Sequence, residues 1–247
     1  MKYSQLAAQL FTVRDYLLDE SAFAATIKRL KAIGYPAVEL IPSETVSDKE
    51  IAVICQEAGV KIASAHVPGQ LLLERPEEIV AKMQVLGADL AVYAFPAGVD
   101  LGSRSEVERL ADGLERSAQV LRRADVTLAY HNHAMKFFRL DDELVFDILR
   151  TRAPGLSFEL DGYWVQYGGM SPERWISELG DKLVSLHLKD FGVASKYGEP
   201  PFMTEVGQGN LDFQALVSRA EGVDWSSSLA HKKDGCAILR SRHFCAS

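Results

Sequence analysis

Short runs of β-branched and apolar residues alternate with longer amphipathic segments over most of this chain. That alternation restricts the fold more than any other feature. Strand-like runs fall at residues 5–11, 36–41, 60–66, 89–95, 126–132, 156–161, 183–189 and, most weakly, 223–230. Helical patterns lie between them at 20–33, 47–58, 75–86, 104–124, 141–150, 171–179 and 211–220. Such alternation predicts a mainly parallel α/β sheet. The length of 247 residues suits one (β/α)8 TIM barrel, and no linker, low-complexity tract or repeat beyond the βα unit divides it. A single domain over residues 1–247 is therefore expected.

Local signals support these boundaries. Gly34, Gly59 and Gly87 each follow a helical run, where a left-handed residue ends a helix. Ser47 stands three residues before Glu50, the spacing of a capping box. Ser171-Pro172 places proline in a first helical turn, where its missing N–H is harmless.

Polar residues recur where the strand runs end: Gln9, Glu39, His66, His131, Asp161 and His187. An open doubly wound sheet concentrates its chemistry at one switch point. Polar groups at the ends of many strands suit the mouth of a closed barrel, where loops from all strands converge.

Charge and composition remove several function classes. The net charge is −7, from 27 basic and 34 acidic side chains, which disfavours a nucleic-acid partner. Cys55, Cys236 and Cys245 form neither a disulfide framework nor a zinc knuckle. No apolar run reaches the ~18 residues needed to span a bilayer. The first residues lack the apolar core of a secretory signal, so a cytoplasmic protein with no membrane partner is expected. A homo-oligomer is left open.

Three segments carry chemistry. In Tyr130-His131-Asn132-His133 the two histidines share one strand face and can meet a metal, or they form a surface turn or a hydrogen-bonded pair. In Glu159-Leu160-Asp161 the two carboxylates share a face, and a strand-end carboxylate is a hard ligand for Mn²⁺ or Mg²⁺. Asp161 before Gly162 equally suits a cap. Trp164 walls a sugar pocket or joins the core. In His187-Leu188-Lys189-Asp190, His187 and Lys189 share a face, and a lysine there needs an acid or a ligand oxygen. Asp190 is its partner or a cap. Glu39 accepts bonds from sugar hydroxyls or is a buried ion-pair partner. His66 is a lone strand-end histidine, more often structural. Glu205 precedes Val206-Gly207-Gln208-Gly209, which is too short for a phosphate fingerprint. Polar strand ends without such a loop point to a polyol or keto-sugar substrate.

Ile33-Gly34-Tyr35, Val38-Glu39-Leu40, Ser64-Ala65-His66, Tyr130-His131-Asn132-His133, Asp161-Gly162-Tyr163-Trp164, His187-Leu188-Lys189-Asp190 and Val206-Gly207-Gln208-Gly209 occur in one order. Together they resemble the xylose isomerase-like barrel superfamily in its sugar phosphate isomerase/epimerase branch, over roughly residues 1–225. The resemblance implies one divalent ion at the barrel mouth. Mn²⁺ is favoured, with Mg²⁺, Co²⁺ or Zn²⁺ as alternatives. It implies His131, Asp161 and His187 as metal ligands, with His131 in place of the usual first Glu. It also implies proton transfer next to a carbonyl through an enediolate. His133 is then the base, Lys189 polarises a substrate oxygen, and Gln9, Glu39, His66 and Trp164 shape the substrate site. A keto-cyclitol or dehydroshikimate-type dehydratase is the alternative on the same barrel. A sugar-binding barrel with impaired catalysis is another, and an endonuclease is disfavoured.

The resemblance also implies a fourth ligand, an acid at the end of strand eight, followed by a closing helix. After Val223-Asp224-Trp225 the sequence departs from that pattern with three serines, and Cys236, Cys245 and a basic cluster appear in the tail. The eighth βα unit is therefore expected to be incomplete or altered over residues 226–247. Weakened metal affinity and apolar surface exposed on neighbouring helices and strands should follow.

Overall fold

The strand-like runs become the staves of a barrel. The computed structural model describes residues 3–96, 98–220 and 225–228, with Tyr3 and the last four residues described as backbone only. Its barrel strands are β1 (Leu6–Gln9), β2 (Ala37–Leu40), β3 (Lys61–His66), β4 (Leu90–Tyr93), β5 (Thr127–His131), β6 (Ser157–Asp161), β7 (Leu183–Leu188) and β8 (Trp225–Ser228). Neighbours pair in parallel around a closed ring in the order β1-β8-β7-β6-β5-β4-β3-β2. Ser226 stands beside Leu6 on one side and Leu186 on the other, so the weakest strand signal is the stave that closes the ring. Parallel neighbours on both sides satisfy its backbone groups, which outweighs the poor strand preference of serine. The remainder of the expected tail, residues 229–247, lies outside the described residues.

The helices are α1 (Glu20–Ile33), α2 (Asp48–Glu57), α3 (Gly69–Glu74), α4 (Pro76–Leu86), α5 (Arg104–Arg122), α6 (Val145–Arg152), α7 (Gly162–Tyr167), α8 (Pro172–Leu179) and α9 (Phe213–Arg219). Helix α1 starts where the Asp19 side chain accepts the Ala22 amide, and ends at Gly34 with φ of 115°. The Ser47–Glu50 capping box forms as its spacing implied. On α5, Val107, Leu110, Ala111, Leu114, Ala118 and Leu121 are buried, the 3.6-residue stripe of a helix packed on a sheet. Each large side chain of this kind contributes about 1.5–3 kcal/mol on burial.

Three differences from the sequence reading have local causes. Helix α6 starts at Val145 rather than near 141, because Arg139–Leu140 and Glu143–Leu144 form a small antiparallel hairpin. Its turn places Asp141 and Asp142 at φ of 49° and 67°, a left-handed backbone that Asp tolerates better than most residues. The short helices α3 and α7 give too few turns for a periodic signal. After β7, Asp190–Gly192 pairs with Phe202–Thr204 in a second hairpin above the mouth.

Inside the ring, Ala7, Ala37 and Ala63 pack together, and Leu90, Val92 and Ala129 form another small cluster. Side chains two residues apart on a strand share a face. The next inward residues on three of these strands are Gln9, Glu39 and His131. Apolar packing thus fills the lower barrel, and a polar layer sits directly on it.

Candidate metal centre

Strand register brings the predicted ligands together. Asp161 on β6 is the register partner of His187 on β7, and His131 on β5 is the partner of Glu159 on β6. One ligand atom from each of His131, Asp161 and His187 falls within a group of mutual separation below 4.8 Å, and all three residues are buried. The expected convergence of these three side chains is therefore present. The trio offers two imidazoles and one carboxylate, a donor set suited to a first-row divalent ion. His187 Nδ1 is buried without a hydrogen bond and lies 3.5 Å from Asp161 Oδ2. Burial pulls this imidazole down, but Glu159 and Glu39 hold it well above its ordinary range, so an ion bound here would displace the Nδ1 proton.

Asp161 takes the capping role and keeps its second oxygen free of the cap. Its Oδ1 accepts the Trp164 amide at 3.1 Å and so caps α7, while Oδ2 lies 2.6 Å from Lys189 Nζ. Burial pushes this carboxyl up, but Lys189, His187 and His131 hold it far below the ordinary carboxylate range. Asn132, buried just beyond the end of the neighbouring β5, clamps the Asp161 backbone: its Oδ1 accepts the Asp161 amide at 2.8 Å.

Burial, and then the neighbouring His187, push the His131 imidazole down to about 4. It is neutral at neutral pH, as a ligand must be. The His133 ring stands edge-on to His131 at 4.8 Å and also meets Trp164 at 5.4 Å and the exposed Phe95 at 6.2 Å. Burial first, and His131 second, push His133 down to about 3. Its Nδ1 has no hydrogen-bond partner among the described residues. His133, Lys189 and Trp164 thus lie beside the trio.

Glu39 and His66 sit otherwise than a substrate contact would. Glu39 is fully buried; its Oε2 accepts Ser64 Oγ–H at 2.7 Å, and its Oε1 lies 2.8 Å from His187 Nε2 and 3.1 Å from His66 Nε2. This favours the ion-pair alternative for Glu39. Burial pulls His66 down, yet Glu39 and Glu159 hold it up at about 9. Gln9 is buried, and its side-chain oxygen accepts the Phe11 amide at 2.6 Å.

Asp190 is not the partner of Lys189. It is fully buried, and its carboxylate accepts the backbone amides of Phe191, Gly207, Gly209 and Leu211. Gly209 approaches so closely that a Cβ there would fall 2.5 Å from Asp190 Oδ1. The glycines of Val206–Gly209 thus serve a carboxylate of the chain itself. Glu205 stands in this loop, within reach of Thr204 Oγ1 at 2.9 Å. The fourth ligand expected on strand eight is not supplied by Trp225, Ser226, Ser227 or Ser228.

Two buried groups escaped the sequence reading. Glu159 lies among His66, His131 and His187; its only sequence signal was the shared face with Asp161. Lys136 is fully buried and its Nζ has no hydrogen-bond partner among the described residues. No sequence pattern marks it, since it follows a strand end in an irregular turn.

The model of the Xylose isomerase-like TIM barrel family matches residues 27–231. The chain belongs to that family. Solved structures of the same architecture include a sugar phosphate isomerase/epimerase from Parabacteroides distasonis, at 17% identity and a TM-score of 0.79, with 98% of this chain and 93% of that one covered. The probable 3-DHS dehydratase of petrobactin synthesis from Bacillus anthracis aligns at 12% identity and a TM-score of 0.75, covering 100% of this chain and 99% of that one. L-ribulose 3-epimerase aligns at 14% identity and a TM-score of 0.73, over 100% and 94% of the two chains. At these identities the likeness concerns the fold. By sequence, an inosose dehydratase from Geobacillus kaustophilus is 29% identical over 116 residues, which span 47% of this chain and 35% of that enzyme. No helix of the described residues is long and apolar enough to cross a membrane.

Proposed function

We propose that this chain is a divalent-metal-dependent isomerase or epimerase of a sugar or sugar phosphate, working by proton transfer next to a carbonyl through an enediolate. The observation that carries the reading is the meeting of His131, Asp161 and His187 at one point of the mouth, with Lys189 on Asp161 and His133 beside His131. Those three ligands would hold the ion, Mn²⁺ by preference for the carboxylate-containing set. When bound, it supplies Lewis-acid stabilisation of negative charge developing on a substrate oxygen. His133 is the unprotonated group placed to accept a proton from the carbon next to the carbonyl, and burial with His131 makes it a weak base in the empty site. Lys189, anchored by Asp161, donates a hydrogen bond to a substrate oxygen. Trp164 and Phe95 flank His133 and offer apolar faces to a sugar ring.

A dehydratase acting on a keto-cyclitol is the second reading, favoured by the sequence match to an inosose dehydratase. The first step is shared; the readings part when a hydroxyl leaves. The test is incubation with ketoses, ketose phosphates and keto-cyclitols in D2O with Mn²⁺. An isomerase or epimerase incorporates deuterium next to the carbonyl and keeps every hydroxyl. A dehydratase gives a product lighter by one water. Absence of both with all substrates would overturn the two readings together.

A further inference from the structure

Beneath the mouth lies a second constellation of which the proposed reaction uses only His187. His66 Nε2 is 3.1 Å from Glu39 Oε1 and 3.3 Å from Glu159 Oε2. His187 Nε2 is 2.8 Å from the same Glu39 oxygen and 3.1 Å from the same Glu159 oxygen. Two nitrogens and two oxygens thus alternate around a closed four-atom ring. Glu39 and Glu159 are fully buried, His187 nearly so, and the His66 side chain is 12% exposed. The two imidazole planes are 7° from parallel, with centroids 6.0 Å apart, so both rings aim their Nε2 atoms at one pair of carboxylates.

Hydrogen bonding alone serves this ring poorly. Each Nε2 carries at most one proton, so two protons face four nitrogen–oxygen contacts. Glu159 Oε1 is also buried without a hydrogen-bond partner among the described residues. In the metal-free chain two protonated imidazoles offset the two buried carboxylates, and a divalent ion carries the same charge in their place. A divalent ion placed between the four atoms takes one lone pair from each of them. Ligand bonds of ~2.0–2.2 Å to imidazole and carboxylate imply tetrahedral ligand–ligand separations of ~3.3–3.6 Å, so this ring, with contacts of 2.8–3.3 Å, opens by ~0.5 Å to take the ion.

The backbone also points here. The strand register shifts between Val38 and Glu39 where β2 meets β3, and between Phe158 and Glu159 where β6 meets β7. Both irregularities stand directly at the two carboxylates. A bulge re-aims side chains, and such features gather next to functional sites.

We propose that Glu39, His66, Glu159 and His187 form a second cation site, four-coordinate with two nitrogen and two oxygen donors, and that it takes Zn²⁺. The site rests on its own geometry and differs from the mouth site in every ligand but His187. A neutral imidazole gives one lone pair. With Nε2 engaged below, His187 carries its proton on Nδ1 and faces Asp161 Oδ2 at 3.5 Å. That is the arrangement in which a metal-bound histidine is oriented by a carboxylate. The two sites therefore share one ring: the lower ion takes His187 Nε2 and the mouth trio uses its Nδ1, so loading of one weakens the hold of the other.

Glu39 and His66 belong only to the lower site, and Asp161 only to the mouth. The experiment strips the full chain with a chelator and titrates it with Zn²⁺ alone, reading stoichiometry and affinity against a chromophoric competitor. Glu39→Gln and His66→Gln should each weaken one class of Zn²⁺ binding at least 100-fold, while Asp161→Asn, a change at a residue that only orients His187, retains that class with an affinity lowered by about tenfold. Co²⁺ in place of Zn²⁺ should give the visible bands of a four-coordinate ion in the unmodified chain and in Asp161→Asn, and lose them in Glu39→Gln. Circular dichroism of the metal-free variants checks folding. If Glu39→Gln does not fold, His66→Gln carries the test. Unchanged Zn²⁺ binding in folded His66→Gln overturns the proposal and leaves a hydrogen-bonded network. Loss of binding only in Asp161→Asn overturns it while upholding the mouth site; loss only in Glu39→Gln and His66→Gln supports it and removes the mouth site.

Discussion

Lys189 Nζ lies 2.6 Å from Asp161 Oδ2, while the other oxygen of the same carboxylate accepts the Trp164 amide at 3.1 Å. The helix cap fixes the carboxylate plane, and that plane aims Oδ2 at the mouth. A capping aspartate and a site aspartate are therefore one residue with two oxygens in different roles. The ammonium shares Asp161 with the ion that the trio would hold, so both positive groups act on the same face of a substrate.

Replacement of Lys189 by Met should lower turnover by about 100-fold or more, the usual scale for a group that moves or donates a proton. Metal affinity should stay equal or rise, because a competing cation leaves Asp161. Steady-state kinetics and a Mn²⁺ titration check both parts. Unchanged kinetics would remove Lys189 from the mechanism.

Removal of the divalent ion by a chelator should abolish deuterium incorporation next to the carbonyl, and added Mn²⁺ should restore it. The ion should also raise Tm, since a ligand at 100 times its Kd stabilises the folded state by about 2.7 kcal/mol. Full exchange activity in chelated protein would contradict the metal reading.

Lys136 is a pH-dependent liability. Burial pushes its amine from 10.5 down to about 8. A lysine depressed in the folded state costs stability wherever both states are protonated, below pH about 8. The cost fades as pH rises through the window between about 8 and 10.5, because the unfolded chain then binds more protons. Lys136→Met should therefore stabilise the protein at pH 7 by about 2 kcal/mol, with the gain shrinking toward pH 10.5. Urea melts at a series of pH values measure it. A variant less stable at pH 7 would show that the amine has a partner.

Asp190→Ala should destabilise the chain by about 3–5 kcal/mol, because four backbone amides lose one buried carboxylate. Gly209→Ala should act in the same direction, since its Cβ would meet Asp190 Oδ1 at 2.5 Å and the Phe191 carbonyl oxygen at 2.7 Å. Amide hydrogen exchange should show protection lost first in residues 205–211. Normal protection in both variants would show that the loop is held by other contacts.

The sequence by itself determined the barrel and much of its mouth. Eight strand runs separated by amphipathic segments leave few ways to bury their apolar faces. Strand periodicity then aims His131 and His133 to one side, as it does Glu159 and Asp161. The bounds of α1 and the Ser47 box followed from caps, which are local. What the tertiary structure decided is every relation across the ring. Glu39 and His187 are 148 residues apart, and they meet because β2 and β7 face each other across a closed barrel. Glu159 gained its partners through a register shift that no residue type announces. Asp190 turned from a neighbour of Lys189 into an anchor for four amides, and Lys136 turned inward without a pattern to mark it. Periodicity fixes the face on which a side chain lies; its partner depends on strand order and stagger, which are set by how the whole ring closes.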